Sequence, residues 1–570
     1  MERWPWVVVC VLVTQTVRAQ TVIRVDAGAF PGGDGSTWST AMNELRPALL
    51  LAASMAPAQV WVARGTYWPD GDGGDRDLSF PIAAGVQVFG GFAGTEASLA
   101  ERDPISHPVV LSGDINLPEI ESDNARHVVV FTATSDATSL LDGVTVEGGN
   151  ADGATFPSDS GGGILIDGGS PRIRGCVVRR SMAKYGGGIF SRPGSPVIEE
   201  TRIERNIASA DGGGVNANGS VVLRRCTLDA NRAAFGGGIV VCCGTSRIED
   251  STFTGNFAAT GGGIFSPIGT LWVIRCRLEA NTGGNGGGLN SSSSSSTLNV
   301  VSTVFAGNAA TQGGGLYATN APIIFNCVFS KNTSMQRGAG MYLQGSAKIT
   351  NCTVHSNWSL TQGGGIYAAS GVPMLANTIL WGNADTQATL QAGQLSSATG
   401  SWTINYCNVQ GWTGSIPGVG NSAAAPIFAN APGPDLRLGT MDDEFRLLPG
   451  SWAIDAGDGL LLPIDTWDLD GDGNTAERAP LDIADVPRVV DDPGSVNQGP
   501  GSAPHVDIGA YERQATCRAD YDGSGFVDIE DYSTFIATFE LGTPAADFDS
   551  SGFVDMEDFT AFVLAFELGC

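Results

Sequence analysis

Lysine is almost missing: Lys184, Lys331 and Lys348 are the only three in 570 residues. With 31 basic against 59 acidic residues the formal charge is −28. That balance excludes a nucleic-acid partner, because neutralising phosphates needs clustered cations. The four histidines, His107, His127, His355 and His505, are scattered and share no metal-ligand spacing. Proline, at 28 residues, is at its ordinary level and no Gly-X-Y period exists, so a collagen-like chain is excluded. Beyond the first twenty residues no apolar run approaches the ~20 residues that span a bilayer. What is abundant is glycine, at 79 residues, and acid at one end. Residues 441–570 carry 28 Asp and Glu against 5 Arg, whereas the first 440 carry 31 acids against 26 bases. The C-terminal quarter is therefore chemically distinct, and its acids are either a solvated surface or cation ligands.

Residues 1–19 read as a secretory signal. Arg3 precedes the apolar run Val7–Val13, and Val17-Arg-Ala19 places small or aliphatic residues at a cleavage site. The expectation is a secreted, extracellular or bacterial cell-surface protein. Removing the signal leaves ten cysteines in a compartment where disulfides form. Most of them fall on a repeat register, which favours buried free thiols. Cys242-Cys243 is read as a packing pair, and Ser291–Ser296 as a low-complexity loop.

The middle of the chain is a tandem array. Gly-Gly-Gly followed by an aliphatic residue begins at Gly161, Gly186, Gly212, Gly236, Gly261, Gly286, Gly313 and Gly363, with Gly338-Ala-Gly-Met in the remaining slot. Other columns keep step. One holds Asn206, Asn231, Asn256, Asn281, Asn308, Asn332, Asn357 and Asn383, with Ser181 first. Three residues earlier stands an apolar column that includes Val178, Phe253, Phe305 and Leu380. Five earlier stands a column of small or thiol residues that includes Cys176, Cys226, Cys276, Cys327 and Cys352. Apolar and polar residues alternate with period two, as in half-buried strands. A repeat of ~25 residues is too short for two packed helices. The reading is an all-β solenoid of parallel coils about 4.8 Å apart, with an asparagine ladder paired amide to amide. The glycines serve the turns, since no Lys-Ser or Lys-Thr follows them to make a phosphate loop.

Phe253-Thr-Gly-Asn256, Phe305-Ala-Gly-Asn308 and Phe329-Ser-Lys-Asn332, paired with Gly-Gly-Gly-aliphatic, resemble the repeats of polymorphic outer-membrane proteins. More widely the array is similar to pectate-lyase-like β-helices. The resemblance implies a right-handed parallel β-helix over residues 20–450, with regular repeats at 161–385. No run of amphipathic barrel strands follows, which departs from the autotransporter pattern. Residues 41–53 read as a short helix plugging the N-terminal end, with early coils at 59–63, 86–92, 109–115, 128–132 and 140–147. Ala453-Ile-Asp-Ala-Gly-Asp458 and Val506-Asp-Ile-Gly-Ala-Tyr-Glu512 resemble the closing segment of secreted bacterial β-helix proteins, placed at 451–514.

Residues 515–570 hold one pattern twice. Asp520, Asp522, Ser524, Phe526, Asp528 and Asp531 occupy loop positions 1, 3, 5, 7, 9 and 12 of the first copy. Asp547, Asp549, Ser551, Phe553, Asp555 and Asp558 occupy those of the second. Glycine stands at position 6, and the phenylalanines would offer main-chain carbonyls; this is the hard-oxygen cage that Ca²⁺ requires. The pair resembles a dockerin, specifically the GC-type dockerin-like modules. The resemblance implies a cohesin-like or cell-surface partner, and Cys517 and Cys570 bracket the module as a possible disulfide. Asp468, Asp470 and Asp472 form the front half of a third, weaker metal loop. Ala476 and Ala479 stand where its back half would be, and Asp482 could compensate.

A β-helix does not imply catalysis. Two residues before the asparagine column lie Arg179, Glu204, Asp229, Thr254, Glu279, Ala306, Ser330, His355 and Trp381, pointing outward. Glu204 and Asp229 with Arg202 and Arg205 are the candidate catalytic residues. Outward strand positions are usually solvated, however, and opposite charges on adjacent coils offset one another. The expectation is a secreted or surface-attached protein presenting a glycan- or protein-binding face and anchored through Ca²⁺. The alternative is a polysaccharide-active enzyme, a lyase before a hydrolase, carried by the same module.

Overall fold

The computed structural model describes residues 20–69, 74–117, 120–388, 390–440, 442–492, 495–501, 505–514, 519, 521, 527, 529–548 and 551–568. The signal expected at 1–19 lies outside them. The chain divides into two compact units, one taking in the chain to Ser209 with Gly213–Val221, the other Ala210–Gly212 with Val222 onward.

In the first unit Thr21–Val25, Ala58–Ala63 and Val86–Phe92 pair in parallel, Val60 standing between Ile23 and Val88. Helix Leu45–Ser54 follows the first strand and buries Leu45, Ala48, Leu49 and Ala52. That i, i+3, i+4, i+7 stripe is the apolar face of a surface helix. Further coils pair Val110, Thr145, Val177 and Arg202 in one column.

The second unit holds the regular array. Among the described residues its second sheet has eight short strands, from Thr227–Asp229 to Asn408–Val409, and its third sheet seven, from Arg232–Phe235 to Ala384–Asp385. All pair in parallel; the one antiparallel ladder joins Phe428–Asn430 to Glu444–Leu447. Inward positions stack like on like. Phe253, Phe305 and Phe329 are fully buried, and the last two rings stack at 4.5 Å. Cys226, Cys276, Cys327, Cys352 and Cys407 are buried thiols outside any disulfide, as is Cys176 in the first unit. Burial pushes the Cys176, Cys276 and Cys407 thiols up to about 12, which disfavours the thiolate at each. Cys242 and Cys243 do not fit the packing expectation. They are joined by a disulfide on the long strand Ile239–Glu249, outside the thiol column.

The asparagine ladder forms. Asn281 donates its main-chain N–H and Nδ2 to Asn308 Oδ1, both at 3.0 Å, and Asn308 does the same to Asn332. Each Nδ2 also reaches a carbonyl of an earlier coil, as Asn308 reaches Leu278 O at 2.8 Å. The ladder ends on a residue outside the repeat. Gln394, at the end of helix Gln391–Gln394, accepts from Asn383 N and Nδ2 at 3.2 and 2.7 Å.

The glycine triplet divides its labour. Gly261 has φ +65°, a left-handed turn that disfavours a side chain. Gly262 and Gly263 do not, but a Cβ there would stand 2.5 and 2.6 Å from the carbonyl oxygens of Gly287 and Gly288. One glycine is needed for conformation and two for close approach of coils.

The closing segment does not sit over the last coil. It runs back along the flank of the second sheet, docking on three asparagines at one bend of successive coils. Asn326 Nδ2 donates to Leu481 O at 2.6 Å, Asn351 Nδ2 to Asp507 O at 3.2 Å, and Asn377 Nδ2 to Asp458 O at 3.0 Å. All three have φ near +50°, a conformation asparagine tolerates better than most residues. Ile508 packs against Ile379, Ala453 and Ile454, while Ala510 and Tyr511 pack with Val328 and Val304. The outward column read as solvated is covered in part by the antiparallel strands Phe428–Asn430 and Glu444–Leu447. His355 is buried against Phe428 and Phe445, ring centroids 5.5 and 5.0 Å away, and burial with Lys331 nearby pulls its pKa down to about 4.

Candidate functional site

The candidate acid–base residues are divided between the two units. Glu204 is buried on strand Arg202–Glu204, with the Arg202 guanidinium hydrogen-bonded to it. Arg205 is exposed at a left-handed bend with φ 54°. Asp229 lies half-buried on strand Thr227–Asp229, in the other unit. On the Glu204 column Arg179 meets Glu147 at 2.7 Å, and on a different sheet Arg224 meets Glu249 at 2.7 Å.

The closing segment carries a buried ionic network. Arg488 is fully buried and donates to Glu512 Oε2 at 3.2 Å, Asn326 Oδ1 at 2.6 Å, and the carbonyls of Gly509 and Ala510 at 3.2 and 2.7 Å. Asp507 accepts from Asp455 N at 2.8 Å and Arg513 N at 2.7 Å, yet burial, opposed by those two amides, pushes its carboxyl up to about 7. Asp455 raises it further and Arg488 opposes, while Glu512 bonds the Asp507 N–H. A folded pKa above the unfolded value means that the native state holds its proton more tightly. The resulting stability is full below the ordinary carboxylate range near 4 and is lost as pH rises to about 7. The stability of the parent should therefore fall with pH across that window more steeply than that of Asp507→Asn, by up to one proton. Denaturant titrations at pH 4, 5, 6 and 7 measure it; equal slopes would refute the assignment.

A polar cleft of about 370 Å³ opens where the closing segment meets the bend of the coils. Asp250, Arg275, Arg277, Asp485 and Tyr511 line it. Arg275 grips Asp250 through Nε–Oδ1 at 2.7 Å and Nη2–Oδ2 at 3.3 Å. Burial raises the Asp485 carboxyl, with Arg275 opposing and Asp250 adding. Repeat columns did not disclose this cleft, because Asp485 and Tyr511 come from outside the array.

The third sheet of the second unit presents a different surface. Phe257, Thr282, Ala309, Thr333, Trp358 and Ala384 form one register column, and Phe257, Trp358, Met335 and Leu360 are exposed. A groove of about 200 Å³ runs here, lined by Thr282, Ala309, Thr311, Thr333, Met335, Trp358 and Leu360 among others, with no charged side chain among its lining residues. The signal for it is in the sequence, as large apolar residues at outward positions of a repeat.

Of the metal-ligand candidates, Asp520, Asp522, Ser524, Phe526, Asp528 and Asp549 lie outside the described residues, as do Cys517 and Cys570. Helices Ile529–Glu540 and Met556–Leu568 carry Asp531 and Asp558 in their first turns, both fully buried. The helices pack through Phe535 and Phe562, whose rings stack at 3.9 Å. Gly552 N donates to Asp547 Oδ2 at 2.9 Å, Asp555 N to Asp558 Oδ2 at 2.8 Å, and Phe553 N to Ser551 Oγ at 3.3 Å. The weaker loop repeats the first of these contacts, Gly473 N donating to Asp468 Oδ1 at 2.9 Å. Carboxylate oxygens of Asp468, Asp470 and Asp472 lie within 4.8 Å of one another, as do those of Asp465, Asp470 and Glu477. The two groups share Asp470. Asp482 is committed elsewhere, accepting from Ala484 N and Glu512 N. These oxygens suit Ca²⁺ by their chemistry.

Among proteins of known sequence family, a model described as right handed beta helix region matches residues 129–300. No curated protein matches the chain. Among solved structures the chain is similar to pectate lyase Pel9A, with 14% identity, TM-score 0.35, 88% of this chain and 98% of that one covered. It is similar to the Dettilon tailspike protein at 11% identity and TM-score 0.29, covering 70% and 68%. It is also similar to an endo-xylogalacturonan hydrolase from Aspergillus tubingensis at 12% identity and TM-score 0.21, covering 71% and 100%. Among the described residues no helix is long and apolar enough to cross a membrane.

Proposed function

We propose that this right-handed parallel β-helix is an exported, surface-attached binding protein. Its third sheet holds an extended ligand, and its acidic C-terminal module attaches it, through Ca²⁺, to a cohesin-like or cell-surface partner. The observation that carries the reading is the uncharged groove with an exposed tryptophan on the third sheet. Concave apolar surface with a few hydroxyls is what binding sites are made of. The test of binding against catalysis is incubation of the whole protein, with Ca²⁺, with acidic and neutral polysaccharides. Retention of a polysaccharide without unsaturated product or new reducing ends is expected. Product formation would overturn the reading.

One observation favours a second reading, a polysaccharide-active enzyme: two carboxylates, Asp250 and Asp485, share the polar cleft with Arg275. Product that vanishes in both Asp250→Asn and Asp485→Asn would establish it.

The Ca²⁺ assignment rests on the paired loop pattern and on Asp531 and Asp558, buried where position-12 ligands belong. Binding of Ca²⁺ to the folded module alone adds stability by mass action, about 2.7 kcal/mol at a hundredfold excess over Kd. Chelation should therefore abolish amide protection in Ile529–Glu540 and Met556–Leu568 while leaving strand Val304–Ala306 protected. Hydrogen exchange on the full chain, with and without chelator, decides it; unchanged helix protection would remove Ca²⁺ from the account.

A further inference from the structure

We infer that the ligand of the third sheet is a neutral, extended glycan lying along the stacking direction of the coils, an inference that rests on the binding reading above. Phe257 and Trp358 stand in one register column, four rungs apart. At ~4.8 Å per rung that separates them by about 19 Å. The outward residues between them are Thr282, Ala309 and Thr333, so the floor is low, with hydroxyls on two of its three rungs. Each rung advances by about the length of one sugar ring. A pyranose has an apolar C–H face that stacks on an aromatic ring and an edge of hydroxyls that pairs with threonine, and this surface offers both partners.

Charge selects against the alternatives. A uronate chain brings one carboxylate per ring into a protein of charge −28, onto a floor with no cation. Two arginines flank the floor without lining it: Arg232, one rung before Phe257 in the same column, lies 5.0 Å from its ring centroid, and Arg337, at the end of strand Thr333–Arg337, lies 5.0 Å from that of Tyr367. A peptide strand gains its affinity by pairing with an open sheet edge. Strands Thr282–Asn285, Ala309–Gln312 and Thr333–Arg337 are each paired on both sides and offer no edge. A ligand here must bind through side chains alone, by stacking and hydroxyl contacts, which a neutral glycan does.

The test is calorimetric titration of the full chain with cello-, xylo- and manno-oligosaccharides of increasing length, alongside polygalacturonate and alginate. One neutral series should bind, with affinity rising until the oligomer spans the trough and then levelling. Trp358→Ala should weaken binding at least tenfold at every length, and Phe257→Ala should weaken only the longer members. Both side chains are exposed, so the fold should survive, and unchanged circular dichroism checks it. Binding of the acidic polymers alone, still lost in Trp358→Ala, would overturn the ligand class and keep the face. Neutral binding indifferent to both substitutions would overturn the face. No binding to any of them would overturn both.

Discussion

Arg488→Met should destabilise the protein by about 3–5 kcal/mol, the cost of leaving one partner of a buried ion pair uncompensated. Arg488 is fully buried, and its guanidinium is shared among Glu512, Asn326 and two carbonyls. Methionine fills much of the volume but leaves Glu512, also almost entirely buried, without its cation. The carboxyl of Glu512 already lies well above its ordinary range through burial and Asp507, with Arg488 as the opposing influence. Losing the arginine therefore also raises the proton affinity of the site, and the loss of stability should be smaller at pH 5 than at pH 8. The double variant Arg488→Met, Glu512→Leu should recover part of the loss, since it removes both charges. Denaturant midpoints of the three proteins at two pH values measure this. A change under about 1 kcal/mol in the single variant would show that the network does not hold the closing segment.

Asn308→Ala should cost a comparable amount, about 3–5 kcal/mol, from the middle of the ladder. The Asn308 side chain accepts from Asn281 N and Nδ2 and donates to Leu278 O and Asn332 Oδ1. Truncation leaves the Asn281 main-chain N–H and the Leu278 carbonyl short of partners inside a dry bend, at about 1–3 kcal/mol each, and opens a small void. Asn308→Asp should be no better, because a carboxylate cannot donate to Leu278 O and is itself buried. Because each rung contacts only its neighbours, the damage should appear first as lost amide protection in the coils beside Asn308. Hydrogen exchange resolves that, and protection lost evenly along the second unit would contradict it.

The array was legible because its information is local and repeated. A side chain pointing inward at Phe253 points inward at Phe305, and the asparagine column announced its own ladder. The functional surfaces were legible only in part. Trp358 and Phe257 could be placed on an outward column, but the sequence did not say which outward columns stay open. The second sheet looked as open as the third, and His355 as exposed as Trp358; the antiparallel strands Phe428–Asn430 and Glu444–Leu447 and the closing segment cover the first and leave the second. A trace was present all the same. Asn326, Asn351 and Asn377 replace the Arg225, Asp250, Arg275 and Ser302 of earlier coils at the same bend, where the returning segment takes their amides.

By itself, then, the sequence determined the coil, its period, its inward and outward faces and its ladders, because parallel stacking repeats one local geometry and each column reports on it many times over. Tertiary structure alone decided what happens once. It brought Gln394 to the end of the ladder, Asp465 and Glu477 to Asp470, Asp485 to the Asp250–Arg275 pair, and Arg488 to Glu512. Each of these brings in a residue from a segment without a period, and a contact made once leaves no pattern along the chain from which it could be read.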